Sequence, residues 1–588
     1  MSVPPLRGIH ALALGAILLL AGFLRFAAID RELPHRHESD PHLVQLFQAY
    51  EQDPAIVRHT EYVIRYPSLV PRLLSFLPYP EMPARASGPG SEAEHLEAAS
   101  FPYVRVRAAA AVFSIVGVLL TWFLARRFLA PGAACVAAFL MATSLLSILF
   151  AQQARPHAFQ ATMALATVLL SLRVLSEPSF SRILLAALAA AGAAACLQNG
   201  MLAMIPLACG VFLGLRESRE AGKRGLLRSL AAAGVVAGAA SAAGLAFYPG
   251  ALRVDSRGIH LGDEGGTHSL WFRFMDLLSL PGLRAGGQGL WAHDPVLAIL
   301  SIVGAILGIV GLARTWKSTA RARRLELALI ASYVLPYVAV LAPNIKTYER
   351  FLLPIYPYLA CLAAAAVARI VGRAGGIKPT WLRITVGAAA GILCLAPHAY
   401  IALRYARAAR APDRLELAAA WIESKVDPGA VILTTPGTVL PLLYDPELVR
   451  IDLEDDGAHT LPWLAYQGAI QPGADPARRW KVRIFPSSRA TGPERMDPEQ
   501  VDSWIAENGF DYAVLETSRK MRNLAVTRAL ADSVRNRGQL MYAVEGETPS
   551  LPGLGPGEWQ GASEYATWLL GADAFGPGIE IYRLRRER

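Results

Sequence analysis

Runs of apolar residues about as long as a bilayer's hydrocarbon core is thick dominate the first two thirds of the chain. A spanning helix needs about 20 predominantly apolar residues. About eleven stretches qualify, at roughly 9–28, 105–125, 133–151, 157–175, 182–197, 200–215, 227–248, 295–313, 325–342, 350–371 and 382–402. In hydrocarbon every backbone polar group must be satisfied within the segment, so runs of this kind can only be helices. The first run is too long for a signal-peptide core and has no small-residue cleavage site before the polar segment 30–32, so it reads as a retained span. The expected fold class is an α-helical polytopic membrane protein. Composition agrees, with 53% hydrophobic and 18% charged residues, against about 25% charged in soluble domains. An ordinary soluble enzyme and a disordered chain are both excluded.

The distribution of charge orients these spans. The formal net charge of +10 comes from 57 basic and 47 acidic residues. With the N-terminus inside, the inner connections carry Arg126 and Arg127, Arg173 and Arg182, then Arg216, Arg219, Lys223, Arg224 and Arg228. Arg314, Lys317, Arg321, Arg323 and Arg324 follow, and then Arg369, Arg373, Lys378 and Arg383. Acids there are few, and the alternate connections, above all 29–104 and 249–294, are longer and more acidic. The basic surplus is therefore a positive-inside signal with a contribution from anionic lipid, and it needs no nucleic acid partner. Cys135, Cys196, Cys209, Cys361 and Cys394 all fall within predicted spans and lack metal-ligand spacing, so they read as packing residues.

Past residue 403 the pattern changes. Segment 413–425 reads as a helix with apolar Leu415, Leu417, Ala420, Trp421 and Ile422. Strand-like runs follow at 430–434, 449–453, 480–485, 511–515, 539–544 and 579–584, with helical stretches near 498–507 and 519–536. Such alternation predicts a small α/β domain. The chain thus divides into a membrane domain, 1–403, and an α/β domain, 404–588, which an odd number of spans places outside the cytoplasm. The Gly/Pro-rich run 549–560 reads as a loop. There is no internal repeat, Walker loop or dinucleotide fingerprint.

Three segments carry chemistry. The first outer connection opens Leu33-Pro34-His35-Arg36-His37-Glu38-Ser39-Asp40-Pro41-His42, placing two carboxylates among three imidazoles and an arginine close to a span. It continues to Arg65-Tyr66-Pro67-Ser68-Leu69 and an interfacial or re-entrant helix near 73–77. A carboxylate here could serve as general base toward an acceptor hydroxyl or amine; the alternative is a solvated acidic loop. The second segment is Gln152-Gln153-Ala154-Arg155-Pro156-His157, where Pro156 suits the start of a helix. Arg155 then sits at a positive helix terminus fit for phosphate, or else snorkels to headgroups. The third, Pro343-Asn344-Ile345-Lys346-Thr347-Tyr348-Glu349-Arg350-Phe351-Leu352-Leu353-Pro354, puts Lys346 and Arg350 on an outer loop, where they call for a local anion or pair with an acid such as Glu349. Segment 249–294 mixes aromatics and charges as a substrate loop would, but no residue in it stands out.

In this order these motifs resemble the family 39 type of membrane glycosyltransferase, which includes protein O-mannosyltransferases and lipid A aminoarabinose transferases and has a C-type glycosyltransferase fold. The resemblance spans about residues 10–403. It rests on the acidic motif, Tyr66-Pro67-Ser68-Leu69, Gln153-Ala154-Arg155-Pro156 and Arg350-Phe351-Leu352-Leu353-Pro354. Two departures stand out: Ser39 separates Glu38 from Asp40 where the family commonly has adjacent acids, and Gln153 occupies a position often held by Glu. The resemblance implies a polyprenyl-phosphate sugar as donor, an unknown protein, lipid or polysaccharide acceptor, and inverting transfer at the outer face of the bacterial cytoplasmic membrane. It implies Asp40 as base and Glu38 as second carboxylate, with Arg155, Lys346 and Arg350 on the phosphate. Arg65, Tyr66, His37 and His42 complete the candidate substrate contacts. No cofactor is required, because the donor carries its own leaving group, although His37 and His42 could join the acids around a divalent cation. Two other classes stay open: a non-catalytic membrane scaffold carrying the α/β domain, and a transporter. The near absence of Asp and Glu from the spans argues against the transporter.

Overall fold

A computed structural model describes residues 8–31, 69–75, 91–220, 280–342, 349–373, 379–435, 438–445, 479–485, 496–517, 525–546 and 565–585, with a few isolated positions between them. Among these, eight helices are long and apolar enough to cross a membrane: Gly8–Phe26, Ser100–Phe128, His157–Ser176, Gln198–Glu217, Pro295–Thr315, Arg321–Leu341, Glu349–Arg373 and the long helix that begins at Thr380. Each coincides with an expected stretch. Phe180–Cys196 is apolar but shorter, at 17 residues, and the expected span 227–248 lies outside the described residues. All five cysteines are free, and Cys135 and Cys196 are buried, in keeping with a packing role.

The expected span 133–151 is not one helix. Pro131–Ala142 and Leu145–Ala151 meet at 55°. Two distant charges hold the break. Arg25 is fully buried, and its Nη1 and Nη2 donate to Ala142 O at 2.9 Å and Met141 O at 3.2 Å, the last carbonyls of the first half. Its remaining bonds reach Ser114 Oγ at 2.8 Å, Ser147 Oγ at 2.9 Å and Ala21 O at 3.3 Å. On the other side of the break, the Asp294 carboxylate accepts from Ser144 Oγ at 2.9 Å and from the amides of Leu145 at 2.8 Å and Leu146 at 3.2 Å. A cation thus meets the negative end of one half-helix and an anion the positive end of the other, as their dipoles require.

Small residues let the helices close on one another. A Cβ on Gly304 would lie 2.0 Å from Leu362 O, so Pro295–Thr315 and Tyr356–Arg373 touch backbone to backbone there. The bundle has two unlike ends. At one, Arg127 and Arg323 share Glu326 at 2.6 and 3.1 Å, while Arg321 pairs with Glu217 at 2.6 Å. These arginines belong to the connections read as inner. Some 20 residues back along Ser91–Phe128, about 30 Å of helix, Arg107 donates to Ile29 O and Arg31 O at 2.9 and 3.0 Å. That second end carries the α/β domain.

Helix Thr380–Arg410 runs straight into that domain. Asp413 caps the following helix, Arg414–Lys425, in a reciprocal box with Glu416. The sheet has order β2-β1-β3-β5-β4. β1 (Val431–Thr434) runs parallel to β2 (Lys481–Ile484) and β3 (Tyr512–Glu516), whereas β5 (Ile579–Leu584) is antiparallel to β3 and to β4 (Gly538–Val544). Successive residues alternate faces. Ile432, Val482 and Val514 pack under Leu415, Ala418 and Ile422. Leu433, Ala513 and Leu515 pack against Val501, Ile505, Leu530 and Val534 on the other side. Five expected strands are present. Of the sixth, 449–453, only Val449 is among the described residues; its amide donates to Asp445 O at 3.1 Å, and the rest lies outside them.

Candidate functional site

At the domain end of the bundle, the split span sets the site. Past Leu145–Ala151 the chain turns at Gln152, whose Nε2 donates to Leu24 O at 2.9 Å and whose Oε1 accepts from Tyr405 at 2.5 Å. The Arg155 amide then donates to Gln153 O at 2.8 Å, and Pro156 caps His157–Ser176 from the position just before the helix rather than as its first residue. Arg155 is thereby fixed at a helix N-terminus and is only 3% exposed. Facing it is the 3-10 turn Glu349–Ile355. The rings of His157 and Phe351 lie 5.8 Å apart, the Arg350 guanidinium lies 5.5 Å from the Phe351 centroid, and Tyr337 donates to Phe351 O at 2.9 Å.

The two predicted cations of the described region therefore come together. Arg155 and Arg350 both lie within Coulombic reach of the His157 ring and of the Glu349 carboxylate, and His293 is a third neighbour of Glu349. Glu349 is 3% and His293 1% exposed. His293 Nδ1 donates to Gly289 O at 2.8 Å, which leaves Nε2 to face the site, and its ring stacks on Tyr565 of the α/β domain at 5.2 Å. Glu349 Oε1, His293 Nε2 and His157 Nδ1 are all buried without a hydrogen-bond partner among the described residues. A buried acceptor left without a donor costs about 1–3 kcal/mol. Three buried polar atoms without a partner among the described residues lie beside the two guanidiniums.

The other predicted site residues, Glu38, Asp40, His37, His42, Arg65, Tyr66 and Lys346, lie outside the described residues. Of the acidic motif, His35 is placed: its Nε2 is 3.3 Å from Asp413 Oδ2, both side chains being buried. His35, Asp413 and Glu416 offer ligand atoms within 4.8 Å of one another, a geometry open to a metal ion. Asp413 Oδ1 and Glu416 Oε2 are engaged in the helix cap, and the His35 contact ties the first connection to the α/β domain. Sequence reasoning gave no site role to His293, Asp294 or Arg25, and mentioned Glu349 only as a partner for Arg350. Signals existed for two of them: an arginine within the first apolar run, and an acid directly before Pro295 at a helix start.

Fold and site together define a polytopic helical membrane protein whose C-terminal α/β domain closes over a buried, cation-bearing polar cluster. Residues 98–241 match the family model described as dolichyl-phosphate-mannose-protein mannosyltransferase, which bears out the resemblance to family 39-type membrane glycosyltransferases. The matched stretch contains Arg155. No curated protein matches the chain. Among solved structures, the archaeal oligosaccharyltransferase AglB from Archaeoglobus fulgidus, in complex with an inhibitory peptide and a dolichol-phosphate, aligns at a TM-score of 0.48 and 11% identity, covering 92% of this chain and 73% of its own. ArnT from Cupriavidus metallidurans bound to undecaprenyl phosphate aligns at a TM-score of 0.38 and 13% identity, covering 91% and 96%.

Proposed function

We propose that the chain transfers a sugar, hexosyl or pentosyl, from a polyprenyl-phosphate donor to a protein, lipid or polysaccharide acceptor of the cell envelope. Transfer takes place at the outer face of the bacterial cytoplasmic membrane, with inversion. The observation that carries the reading is the shared neighbourhood of Arg155, which lies within the family match, and Arg350 around one buried polar cluster. A lipid phosphate bound there meets two guanidiniums and a helix N-terminus.

The chemistry is that which the family resemblance implies. Asp40 takes the proton of the acceptor hydroxyl or amine as that atom attacks the anomeric carbon opposite the phosphate. The bond from the anomeric carbon to the phosphate oxygen breaks through an oxocarbenium-like centre, and polyprenyl phosphate leaves with the electron pair. Arg155, Lys346 and Arg350 neutralise the growing charge on it. Glu38 supplies the second carboxylate, His37 and His42 orient the acids, and Arg65 and Tyr66 are further substrate contacts. No cofactor takes part. A divalent cation held by His37 and His42 with the two acids is the alternative arrangement of the same residues.

Purified protein given a polyprenyl-phosphate sugar and an envelope extract should release free polyprenyl phosphate, and Asp40→Asn should abolish the release. Full turnover by the Asp40→Asn/Glu38→Gln double variant would remove the carboxylate mechanism. A reporter fused after Arg588 should be active only outside the cytoplasm; cytoplasmic activity would overturn the stated membrane face.

A further inference from the structure

We propose that His35, Asp413 and Glu416 hold a divalent transition-metal ion of the zinc kind, and that this ion fastens the first connection to the α/β domain. The site uses none of the residues assigned above to the donor or the acceptor, so it stands or falls apart from the sugar-transfer reading.

His35 and Asp413 are 378 residues apart in the chain, and the fold brings His35 onto the start of helix Arg414–Lys425. Both side chains are 3% exposed. Each of the three residues offers a ligand atom within 4.8 Å of the other two. One imidazole nitrogen with two carboxylate oxygens is a donor set for zinc, cobalt or manganese. Calcium and magnesium take oxygen ligands alone.

The spacing favours an ion over a simple hydrogen bond. A charge-assisted bond from an imidazole to a carboxylate closes to about 2.7–2.9 Å, whereas His35 Nε2 and Asp413 Oδ2 stand 3.3 Å apart. Two ligand atoms bound to one tetrahedral ion at about 2.0–2.1 Å are separated by about 3.3–3.4 Å. The pair therefore already has the separation that a shared ion demands. Glu416 is half-buried and completes the set by a small turn of its side chain.

The helix cap orients both carboxylates. Asp413 Oδ1 accepts from the Glu416 amide at 2.8 Å, and Glu416 Oε2 accepts from the Asp413 amide at 3.1 Å. Metal-bound carboxylates ordinarily have such outer partners. Arg414, within Coulombic reach of Asp413, donates to Gly576 O at 2.5 Å instead of pairing with it. Three protein ligands leave a fourth tetrahedral position for water. His35 precedes Glu38 by three residues and Asp40 by five, so the ion anchors the approach to the acidic motif.

The test uses the full chain in detergent, stripped with a chelator and titrated with Co²⁺, whose visible absorption reports tetrahedral coordination, with Zn²⁺ in competition. One ion per chain should bind and raise the melting temperature. Asp413→Asn and Glu416→Gln keep the chemistry of the cap while each removes a charged ligand. These two and His35→Gln should each weaken binding by on the order of a hundredfold or more, since loss of an outer-shell partner alone reaches that range. The metal-free melting temperatures of Asp413→Asn and Glu416→Gln should stay near that of the unaltered protein. The His37→Ala/His42→Ala variant should bind as the unaltered protein does. Absence of binding by the unaltered protein at micromolar Co²⁺ and Zn²⁺, undiminished affinity in any of the three single variants, or loss of binding in His37→Ala/His42→Ala overturns the proposal.

Discussion

Replacing Asp294 with alanine removes the acceptor that holds the second half of the split span in place. Asp294 is 1% exposed and receives three bonds, from Ser144 Oγ and the amides of Leu145 and Leu146. A bond to a charged group contributes about 1.5–3 kcal/mol. The three do not add in full, because Ser144 Oγ also accepts from the Ser147 amide at 3.2 Å and keeps that bond. Removing one member of a buried charged network costs about 3–5 kcal/mol, so Asp294→Ala should cost about 4. Asp294→Asn preserves one carbonyl oxygen for the Leu145 amide and loses the charge, so it should cost about half as much. The backbone part of the loss falls on two amides. Hydrogen exchange at Leu145 and Leu146 in the detergent-solubilised chain should therefore quicken by on the order of a thousandfold in Asp294→Ala, at about 1.4 kcal/mol per tenfold. Amides in the middle of His157–Ser176 should be unaffected. Unchanged exchange at Leu145 and Leu146 in a folded Asp294→Ala protein would refute the claim that this carboxylate holds the break.

Two further outcomes test the packing of the bundle and the charge of the α/β domain. Gly304→Ala drives a methyl into Leu362 O and should destabilise the contact between Pro295–Thr315 and Tyr356–Arg373 by about 2–3 kcal/mol, read as a lowered melting temperature in detergent; an unaltered temperature would contradict the backbone contact. In the α/β domain, two bonds from Arg537 and one from Ser533 hold the Asp502 carboxyl down to about 2. Its folded pKa lies below the unfolded value of about 3.9. The stabilisation is therefore complete above about pH 4 and fades as pH falls through about 2. Melting followed by tryptophan fluorescence between pH 5 and 2 should show this slope, reduced in Asp502→Asn; equal slopes in the two proteins would refute it. Asp502 is exposed, so solvent screening keeps the effect small.

What was legible in the sequence was what depends on neighbours along the chain. A run of apolar residues long enough for a bilayer specifies a helix by itself, and the spans emerged close to where hydropathy put them. Arg155 could be placed because Pro156 marks a helix start a single residue away. The break at Ser144 could not be read, since the residues that hold it, Arg25 and Asp294, come from far along the chain on either side. The same holds for Glu349 and His293, whose meaning lies in facing each other across two helix ends. In the α/β domain strand positions were visible from alternation. The antiparallel direction of β5 was not, because pairing partners are chosen by tertiary packing rather than by local pattern.

The five bonds made by Arg25 impose an order of events on synthesis. All five go to neutral acceptors, one from its own helix and four supplied by residues 114, 141, 142 and 147. The first span thus enters the bilayer carrying a guanidinium that it cannot satisfy alone, and a charge within a membrane helix is costly until it finds polar company. That company is not complete until more than a hundred further residues have left the ribosome. The opening helix is finished, in an energetic sense, only by a segment made long after it.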